Sequence, residues 1–216
     1  MQDTPRHKGM RKQLIEELKQ MGIDNQAVLN AFDQVPRHLF LDPVFEKQAY
    51  SNVAFQIGAG QTISQPYTVA FQTSLLEVEI GMKVLEIGTG SAFQTAILAK
   101  IGAKVYSVER QSKLHLLAKE NCRHPAININ PKLFFGDGYK GLPQYAPFDR
   151  ILVTCGAPFV PEALLSQLKI GGIMVIPLGE DGVQIMTKIV KVDDVNYESS
   201  TYGDFSFVPM LNNTAK

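Results

Sequence analysis

The stretch that decides the fold is "VLEIGTGSAFQTAILA", Val84 to Ala99. A short run of β-forming residues leads into Gly88 and Gly90, and a segment of helical composition follows them. Glycine at a tight turn between a strand and a helix permits positive φ and lets a ligand approach the backbone closely. The pattern predicts a nucleotide-type turn, but the G-x-G pair alone is weak evidence, since any such turn favours glycine.

Around this stretch, short β-rich runs alternate with helical segments. The helical segments begin near Phe93, Ser112 and Pro161, and the runs are "KVLEIG", "KVYSVE", "KLFFGD", "FDRILVT" and "GGIMVIPLG". This alternation is typical of parallel βαβ units, in which ligands bind at the carboxyl edge of the sheet. The later runs "VQIMTKIVKV" and "STYGDFSFVPM" predict two more strands, antiparallel to each other. The fold class is therefore α/β.

The N-terminal region is predicted to be helical and to lack strands. Two helices are indicated by apolar residues at helical spacing, the second beginning after a cap at Asp24, and a short helix is expected over 45–50. At 216 residues the chain is expected to form one domain. We divide it into an N-terminal helical and lid region (1–66), a βα core that holds the cofactor (67–182) and C-terminal strands (183–216).

The composition narrows the classes of partner and compartment. The 21 basic and 21 acidic residues cancel, which argues against capture of nucleic acid or of an anionic membrane. Cys122 and Cys155 have no metal-ligand spacing around them, so no zinc site or disulfide framework is expected. The N-terminus lacks the apolar segment of a signal peptide, and no window is apolar enough to span a bilayer. We expect a soluble, cytoplasmic protein.

Carboxylates near the glycine turn restrict the ligand. Glu109 ends the second strand about twenty residues beyond the glycines, the spacing at which a carboxylate binds a ribose diol. NAD and S-adenosylmethionine both carry that ribose. Phe93 stands where the dinucleotide fingerprint needs a third glycine, and Glu86 would repel a pyrophosphate but suits a cationic ligand. S-adenosylmethionine is therefore favoured. Asp137 and Gly138 could hold an adenine, although an ordinary Asp-Gly turn explains them equally well.

Several motifs, in this order, resemble those of bacterial protein-L-isoaspartate O-methyltransferases, a family of class I S-adenosylmethionine-dependent methyltransferases. The motifs include "VPRHLF", "GQTISQPYTVA", "VLEIGTGSAFQTAILA", "VYSVER", "GDGYKG", "APFDRILVTCGAP", "LKIGGIMVIPLG" and "FVPM". The resemblance implies a Rossmann-like fold with a central, mostly parallel seven-stranded sheet and helices on both faces. It also implies methyl transfer from S-adenosylmethionine to the free carboxylate of L-isoaspartyl residues in aged proteins, which begins their repair through a succinimide.

The resemblance also assigns roles to residues. Ser64 corresponds to the active-site serine, and Gln61, Thr62 and Ile63 share its loop around cofactor and substrate. The expected cofactor contacts are Glu86, Gly88, Gly90, Ser91, Glu109, Asp137 and Gly138. Ala92 departs from the family's usual glycine, and no contact is carried over to Leu211. Because a peptide carboxylate is already ionised at pH 7, no general base is needed, and Ser64 is expected to orient an oxygen of the acceptor. The alternative is that Ser64 caps the helix entered through Pro66.

Three other functions compete with this prediction. They are methylation of a small molecule on the same fold, NAD-dependent oxidoreduction, and binding of S-adenosylmethionine without catalysis. We expect no metal, no nucleic-acid or membrane partner, and a monomer.

Overall fold

The computed structural model describes residues 1–180 and 182–215, and it has an α/β architecture. Six α-helices are α1 (Pro5–Gln20), α2 (Gln26–Gln34), α3 (Pro66–Leu76), α4 (Phe93–Ile101), α5 (Ser112–Arg123) and α6 (Glu162–Ser166). Nine strands are β1 (Phe55–Gly58), β2 (Gln61–Ile63), β3 (Lys83–Ile87), β4 (Lys104–Glu109), β5 (Lys132–Phe135), β6 (Phe148–Val153), β7 (Leu168–Leu178), β8 (Gln184–Lys191) and β9 (Tyr197–Phe205).

Seven strands form one sheet in the order β5-β4-β3-β6-β7-β8-β9. The first five strands in this order are parallel to one another, whereas β8 pairs antiparallel with β7 and β9 pairs antiparallel with β8. The chain winds outward from β3 to β5 and returns to β6 on the other side of β3, so β3 lies at the topological switch point where open α/β sheets bind ligands. The predicted mostly parallel, seven-stranded Rossmann-like sheet is confirmed.

Helices cover both faces of the sheet because the parallel strands are apolar on both sides. The larger core cluster joins the N-terminal helices to α3, α4 and α5, with Leu18, Leu76 and Ile97 fully buried. The second cluster lies beneath α6 and contains Phe148 and Leu164. No helix in the described part of the chain is long and apolar enough to cross a membrane.

The N-terminal region differs from the prediction in three places. The α2 helix is capped by Asn25, whose side chain accepts from the backbone N–H of Val28, and not by Asp24. The short helix is a 3-10 turn over Pro43–Gln48. The region also contains strands, because β1 and β2 pair as a small antiparallel hairpin. Strands of four and three residues are too short to give a recognisable period-2 pattern, which explains the wrong prediction.

Candidate active site

The glycine turn at the end of β3 forms the floor of a cavity at the carboxyl edge of the parallel strands. Gly88 has φ of +96° and Gly90 has φ of +53°, and a Cβ on Gly88 would lie 2.5 Å from the Thr154 hydroxyl oxygen. That hydroxyl donates to the carbonyl of Gly88 at 2.7 Å. The turn therefore requires glycine at position 88 both for its conformation and for the close approach of β6.

Glu109 brings a carboxylate to the same edge of the sheet. Its Oε2 accepts from the backbone N–H of Gly90 at 2.8 Å and its Oε1 from that of Gln111 at 2.8 Å. The side chain is only 4% exposed and lines the cavity. Because a carboxylate has about four acceptor positions, two remain for the hydroxyls of a ribose. The predicted location of Glu109 is reproduced, with an orientation fixed by the glycine turn.

The cavity has an empty volume of about 830 Å³, including its open mouth, which suits a ligand of cofactor size. It contains nine of the predicted site residues: Gln61, Thr62, Ile63, Ser64, Gly88, Gly90, Ser91, Glu109 and Gly138. A Cβ on Gly138 would lie 2.5 Å from Ile87 Cγ2, so the backbone is pressed against the strand end there. The charged side chains in the lining are Glu109 and Arg110.

Glu86 and Asp137 do not lie in the cavity wall. Glu86 is fully buried inside the sheet–helix layer, where its Oε2 accepts from the Thr95 hydroxyl at 2.5 Å. Burial raises the pKa of this carboxyl to about 7, against the opposing effect of the Ser107 and Thr95 hydroxyls. The carboxylate that lines the cavity is that of Glu109. A direct contact between Glu86 and the cofactor stays a prediction.

Asp137 caps a short 3-10 turn and holds the C-terminal segment. Its Oδ1 accepts from the N–H of Tyr139 at 3.0 Å, and its Oδ2 accepts from the N–H of Asn213 at 3.1 Å. Each oxygen thus accepts one bond within the protein, in agreement with the alternative explanation of "GDG" as an Asp-Gly turn. The cofactor contact expected of Asp137 stays a prediction. Gly138, the next residue, lines the cavity.

Ser64 lies at the end of β2, immediately before helix α3. The helix is capped at Gln65 without a side-chain hydrogen bond, and Asn52 Oδ1 instead accepts from the N–H of Tyr67 at 2.8 Å. The capping role considered for Ser64 is therefore wrong, since Asn52 performs it. Within residues 1–180 and 182–215, the Ser64 hydroxyl forms no hydrogen bond, and Ser64 borders the cavity.

Several cavity residues were missed by the sequence reasoning. Leu211, to which no contact is carried over, and Cys155, for which neither a metal site nor a disulfide is expected, both line the cavity. Gln72 is fully buried at the wall, and its Oε1 has no hydrogen-bond partner among the described residues. The remaining new lining residues are Val69, Ile87, Thr89, Phe93, Gln94, Val108, Arg110, Thr154, Val208, Pro209 and Met210. Among the C-terminal lining residues, only those in the quoted "FVPM" motif could have been found from the sequence.

These features fit S-adenosylmethionine. The two crowded glycines form a cradle that side chains would fill, Glu109 offers free acceptor positions for a diol, and the unpartnered Gln72 oxygen can accept from a ligand donor. The wall contains one carboxylate, and Arg110 directs its guanidinium to the carbonyls of Asn213 and Asn212. This distribution favours a ligand with cationic groups over a pyrophosphate.

Outside the cavity, Asp3, His7 and His38 bring three possible metal-ligating atoms within 4.8 Å of one another. Arg11 already binds both carboxylate oxygens of Asp3, and Tyr50 pairs with His38 Nδ1 at 2.8 Å. The imidazole rings of His7 and His38 stack with centroids 3.8 Å apart at 21°, so their lone pairs do not converge on one ion. We interpret this cluster as support for the N-terminal helices.

The sequence and fold match those of a known family. The family model for protein-L-isoaspartate(D-aspartate) O-methyltransferase matches residues 9–215. A protein-L-isoaspartate O-methyltransferase from Flavobacterium psychrophilum is 59% identical over 212 residues, which cover 98% of each chain. One from Christiangramia forsetii is 54% identical, again with 98% of each chain covered.

Two solved structures agree with this match. One, named protein-L-isoaspartate O-methyltransferase, aligns with a TM-score of 0.83 at 30% identity. This alignment covers 94% of this chain and 66% of the other. A second, from Plasmodium falciparum in complex with S-adenosyl-L-homocysteine, aligns with a TM-score of 0.83 at 28% identity and covers 94% of this chain and 99% of that chain. The chain belongs to the protein-L-isoaspartate(D-aspartate) O-methyltransferase family.

Proposed function

We propose that this protein transfers a methyl group from S-adenosylmethionine to the free α-carboxylate of L-isoaspartyl residues in damaged proteins. The observation that carries the proposal is the position of the Ser64 loop between two cavities. Thr62, Ser64, Thr154 and Val208 border both the cofactor cavity and a second groove of about 1020 Å³. A donor in the first cavity and a peptide in the second would therefore meet at Ser64.

The residues that would hold the cofactor follow from the site. Glu109 would accept from the two ribose hydroxyls, Gly138 would let the adenine lie against backbone, and Gly88, Gly90 and Ser91 would border the ligand at the turn. When bound, S-adenosylmethionine supplies an electrophilic methyl carbon on a positively charged sulfur. The acceptor carboxylate supplies the nucleophile, and the protein has to position it.

The protein has to align and desolvate the acceptor rather than activate it. A peptide carboxyl has a pKa of roughly 3.3–3.9, so it arrives ionised at neutral pH and attacks without a general base. The unengaged hydroxyl of Ser64 donates to one carboxylate oxygen and directs the other toward the methyl carbon. Val208 and Leu211 line the cavity and contribute apolar surface beside the reacting groups. Positioning of this kind is worth up to about 7–11 kcal/mol.

The second groove suits an extended peptide. Its wall includes Tyr67 and Phe205, whose rings stack with centroids 6.4 Å apart, and Tyr202 at the rim. Asp204 is the charged residue in this lining. The methyl ester formed on the peptide then cyclises without help from the enzyme: a backbone amide nitrogen attacks the ester carbonyl, methanol leaves and a succinimide forms. Hydrolysis of that ring returns part of the material to normal aspartate.

We further propose that the protein acts as a monomer in the cytoplasm. Both cysteines are free thiols, which suits a reducing compartment. The acceptor groove and the cofactor cavity are both built from this one chain.

The decisive experiment uses methyl-labelled S-adenosylmethionine with a matched pair of peptides that differ only in an aspartyl or isoaspartyl linkage. We expect base-labile label on the isoaspartyl peptide alone. Transfer to neither peptide, or equal transfer to both, contradicts the proposal. Label on a small-molecule acceptor in place of the peptide would identify a small-molecule methyltransferase.

A further inference from the structure

Arg37 is the most deeply buried cation described in the structure. It lies next to the loop that carries Ser64, here called the acceptor loop. It begins a 3-10 turn over Arg37–Phe40, and its side chain is 1% exposed. No carboxylate in residues 1–180 and 182–215 forms an ion pair with it. Burial lowers the pKa of its guanidinium to about 9, so the group still carries its charge at neutral pH.

A buried charge without a counter-ion destabilises a protein unless hydrogen bonds compensate it. The Arg37 guanidinium binds three backbone carbonyls: Nε donates to Ala49 at 2.9 Å, Nη2 to Val53 at 3.0 Å and Nη1 to Ser64 at 3.0 Å. An apolar side chain of similar size would fill the space without the cost of desolvation. The rigid fork of donors is the property that only arginine supplies here.

These three carbonyls lie at the two ends of one segment. Ala49 and Val53 precede the β1–β2 hairpin, and Ser64 follows it. Holding them on a single planar group fixes the base of the hairpin and the backbone position of Ser64. The Ser64 side chain itself has no other anchor in the described part of the chain, so its hydroxyl position depends on that backbone.

Arg37 also contacts the cofactor side of the site. Its guanidinium carbon lies 5.0 Å from the ring centroid of Phe93, which is within the range of a cation–π contact. Phe93 begins helix α4 after the glycine turn and lines the cofactor cavity. The same side chain therefore links the acceptor serine to the element that shapes the donor site.

We propose that Arg37 is a positioning residue for methyl transfer, which sets the Ser64 hydroxyl relative to the donor cavity through the Ser64 carbonyl. This inference rests on the proposed function. Arg37 contributes to the alignment of the two substrates and makes no contact with the reacting atoms. Loss of the three guanidinium hydrogen bonds should lower kcat, while the cofactor cavity still binds S-adenosylhomocysteine.

The test compares Arg37→Lys, which keeps the charge but loses the fork, with Arg37→Gln, which keeps an amide donor and no charge. Arg150→Lys is the matched control, because Arg150 also binds backbone carbonyls, those of Leu76, Glu77 and Asp149, away from the acceptor loop. All kinetics are measured below the melting temperature of each variant. We expect both Arg37 variants to lose about ten- to a hundredfold in kcat, with affinity for S-adenosylhomocysteine within about threefold of wild type.

A double-mutant cycle separates positioning from general support of the fold. In the Ser64→Ala background, Arg37→Lys should cost less than about threefold in kcat, because the hydroxyl it positions has been removed. Equal losses in both backgrounds, an unchanged kcat in folded Arg37→Lys, or an equal loss in Arg150→Lys would overturn the inference. Wild-type protein that fails to methylate the isoaspartyl peptide would instead refute the proposed function, and with it the role of Arg37.

Discussion

At the scale of single residues, the hydroxyl of Ser64 is not used to cap helix α3, because the side chain of Asn52 performs that role. Asn52 binds the first turn of α3 from fifteen positions earlier in the chain. A Ser before a helix-starting Pro would ordinarily be explained as a cap. The structure removes that explanation, and it leaves the hydroxyl at the border between donor cavity and acceptor groove.

We predict that Ser64→Ala lowers kcat/KM for an isoaspartyl peptide by roughly ten- to a hundredfold, in line with the loss of one hydrogen bond to a charged group. Steady-state kinetics and calorimetry with S-adenosylhomocysteine provide the measurement, and the affinity for this ligand should stay unchanged. Ser166→Ala, at a hydroxyl that binds the Ala163 carbonyl in α6, is the control. Wild-type kinetics in Ser64→Ala would remove the hydroxyl from the mechanism.

Glu86 makes the stability of the protein depend on pH. Burial raises the pKa of its carboxyl from 4.5 to about 7. Between these values the folded protein holds a proton that the unfolded chain has released. The contribution of Glu86 to stability therefore falls as the pH rises from about 4.5 to about 7, and it is constant above that range.

Glu86→Gln removes this titration while it keeps an oxygen that can accept from Thr95. We expect the free energy of unfolding of wild type minus that of the variant to be larger at pH 5 than at pH 8, by on the order of 2–3 kcal/mol. Urea unfolding of both proteins at the two pH values measures the difference. A difference that does not change with pH would mean that Glu86 is ionised in the folded protein.

At the scale of elements, the residue that precedes helix α4 as its N-cap is in a left-handed conformation. This residue, Ala92, has φ of +69° and is fully buried. Glycine, which the resemblance implies at this position, adopts such a conformation without a penalty. An L-residue in this conformation costs about 1–2 kcal/mol.

We predict that Ala92→Gly and Ala96→Gly, in the same helix, affect stability differently. In Ala92→Gly, relief of the left-handed strain offsets the loss of a buried methyl group, so the free energy of unfolding should change by less than about 0.5 kcal/mol. Ala96 is also fully buried, but it lies within the helix. Ala96→Gly should therefore cost about 1–2 kcal/mol. Equal destabilisation in urea unfolding would show that the Ala92 conformation carries no penalty.

At the scale of the whole molecule, the site combines three distant parts of the chain. The N-terminal region supplies Ser64, the parallel strands supply the glycine turn and Glu109, and the C-terminal segment closes the cavity. That segment is tied down beyond Leu211: Ala215 N–H donates to the carbonyl of Arg110 at 2.8 Å, and Ser112 N–H donates to that of Ala215 at 2.9 Å. The anchor is adjacent to Glu109, so we expect cofactor binding to depend on this segment.

We predict that deletion of residues 212–216 weakens binding of S-adenosylhomocysteine by about tenfold or more while the sheet stays folded. In wild type, the ligand at a hundred times its Kd should stabilise the protein by about 2.7 kcal/mol, which thermal unfolding with and without ligand detects. The truncated protein should show a smaller increase at the same ligand concentration. The same increase in both proteins would contradict the proposed role of the segment.

Local patterns in the sequence were sufficient to predict much of this fold. The βα alternation predicted the five parallel strands of the main sheet, because buried parallel strands produce apolar runs that can be recognised locally. Two later runs predicted β8 and β9, and the resemblance implied that all seven form one sheet. The glycine turn and Glu109 were also predicted, since both depend on short spacing along the chain. The β1–β2 hairpin was not, because its strands are stabilised by packing rather than by a long period of their own.

The sequence by itself determined the strands of the main sheet, the position of the glycine turn and the residue types around the cofactor. Only the tertiary structure decided which carboxylates face the cavity: Glu109 does, whereas Glu86 is directed into the layer beneath α4 and Asp137 is used to hold the C-terminal segment. It also placed Leu211 in the cavity lining, Asn52 at the first turn of α3 and Arg37 against the Ser64 carbonyl. The physical reason is that these roles depend on contacts between residues far apart in the chain, and local spacing carries no record of them.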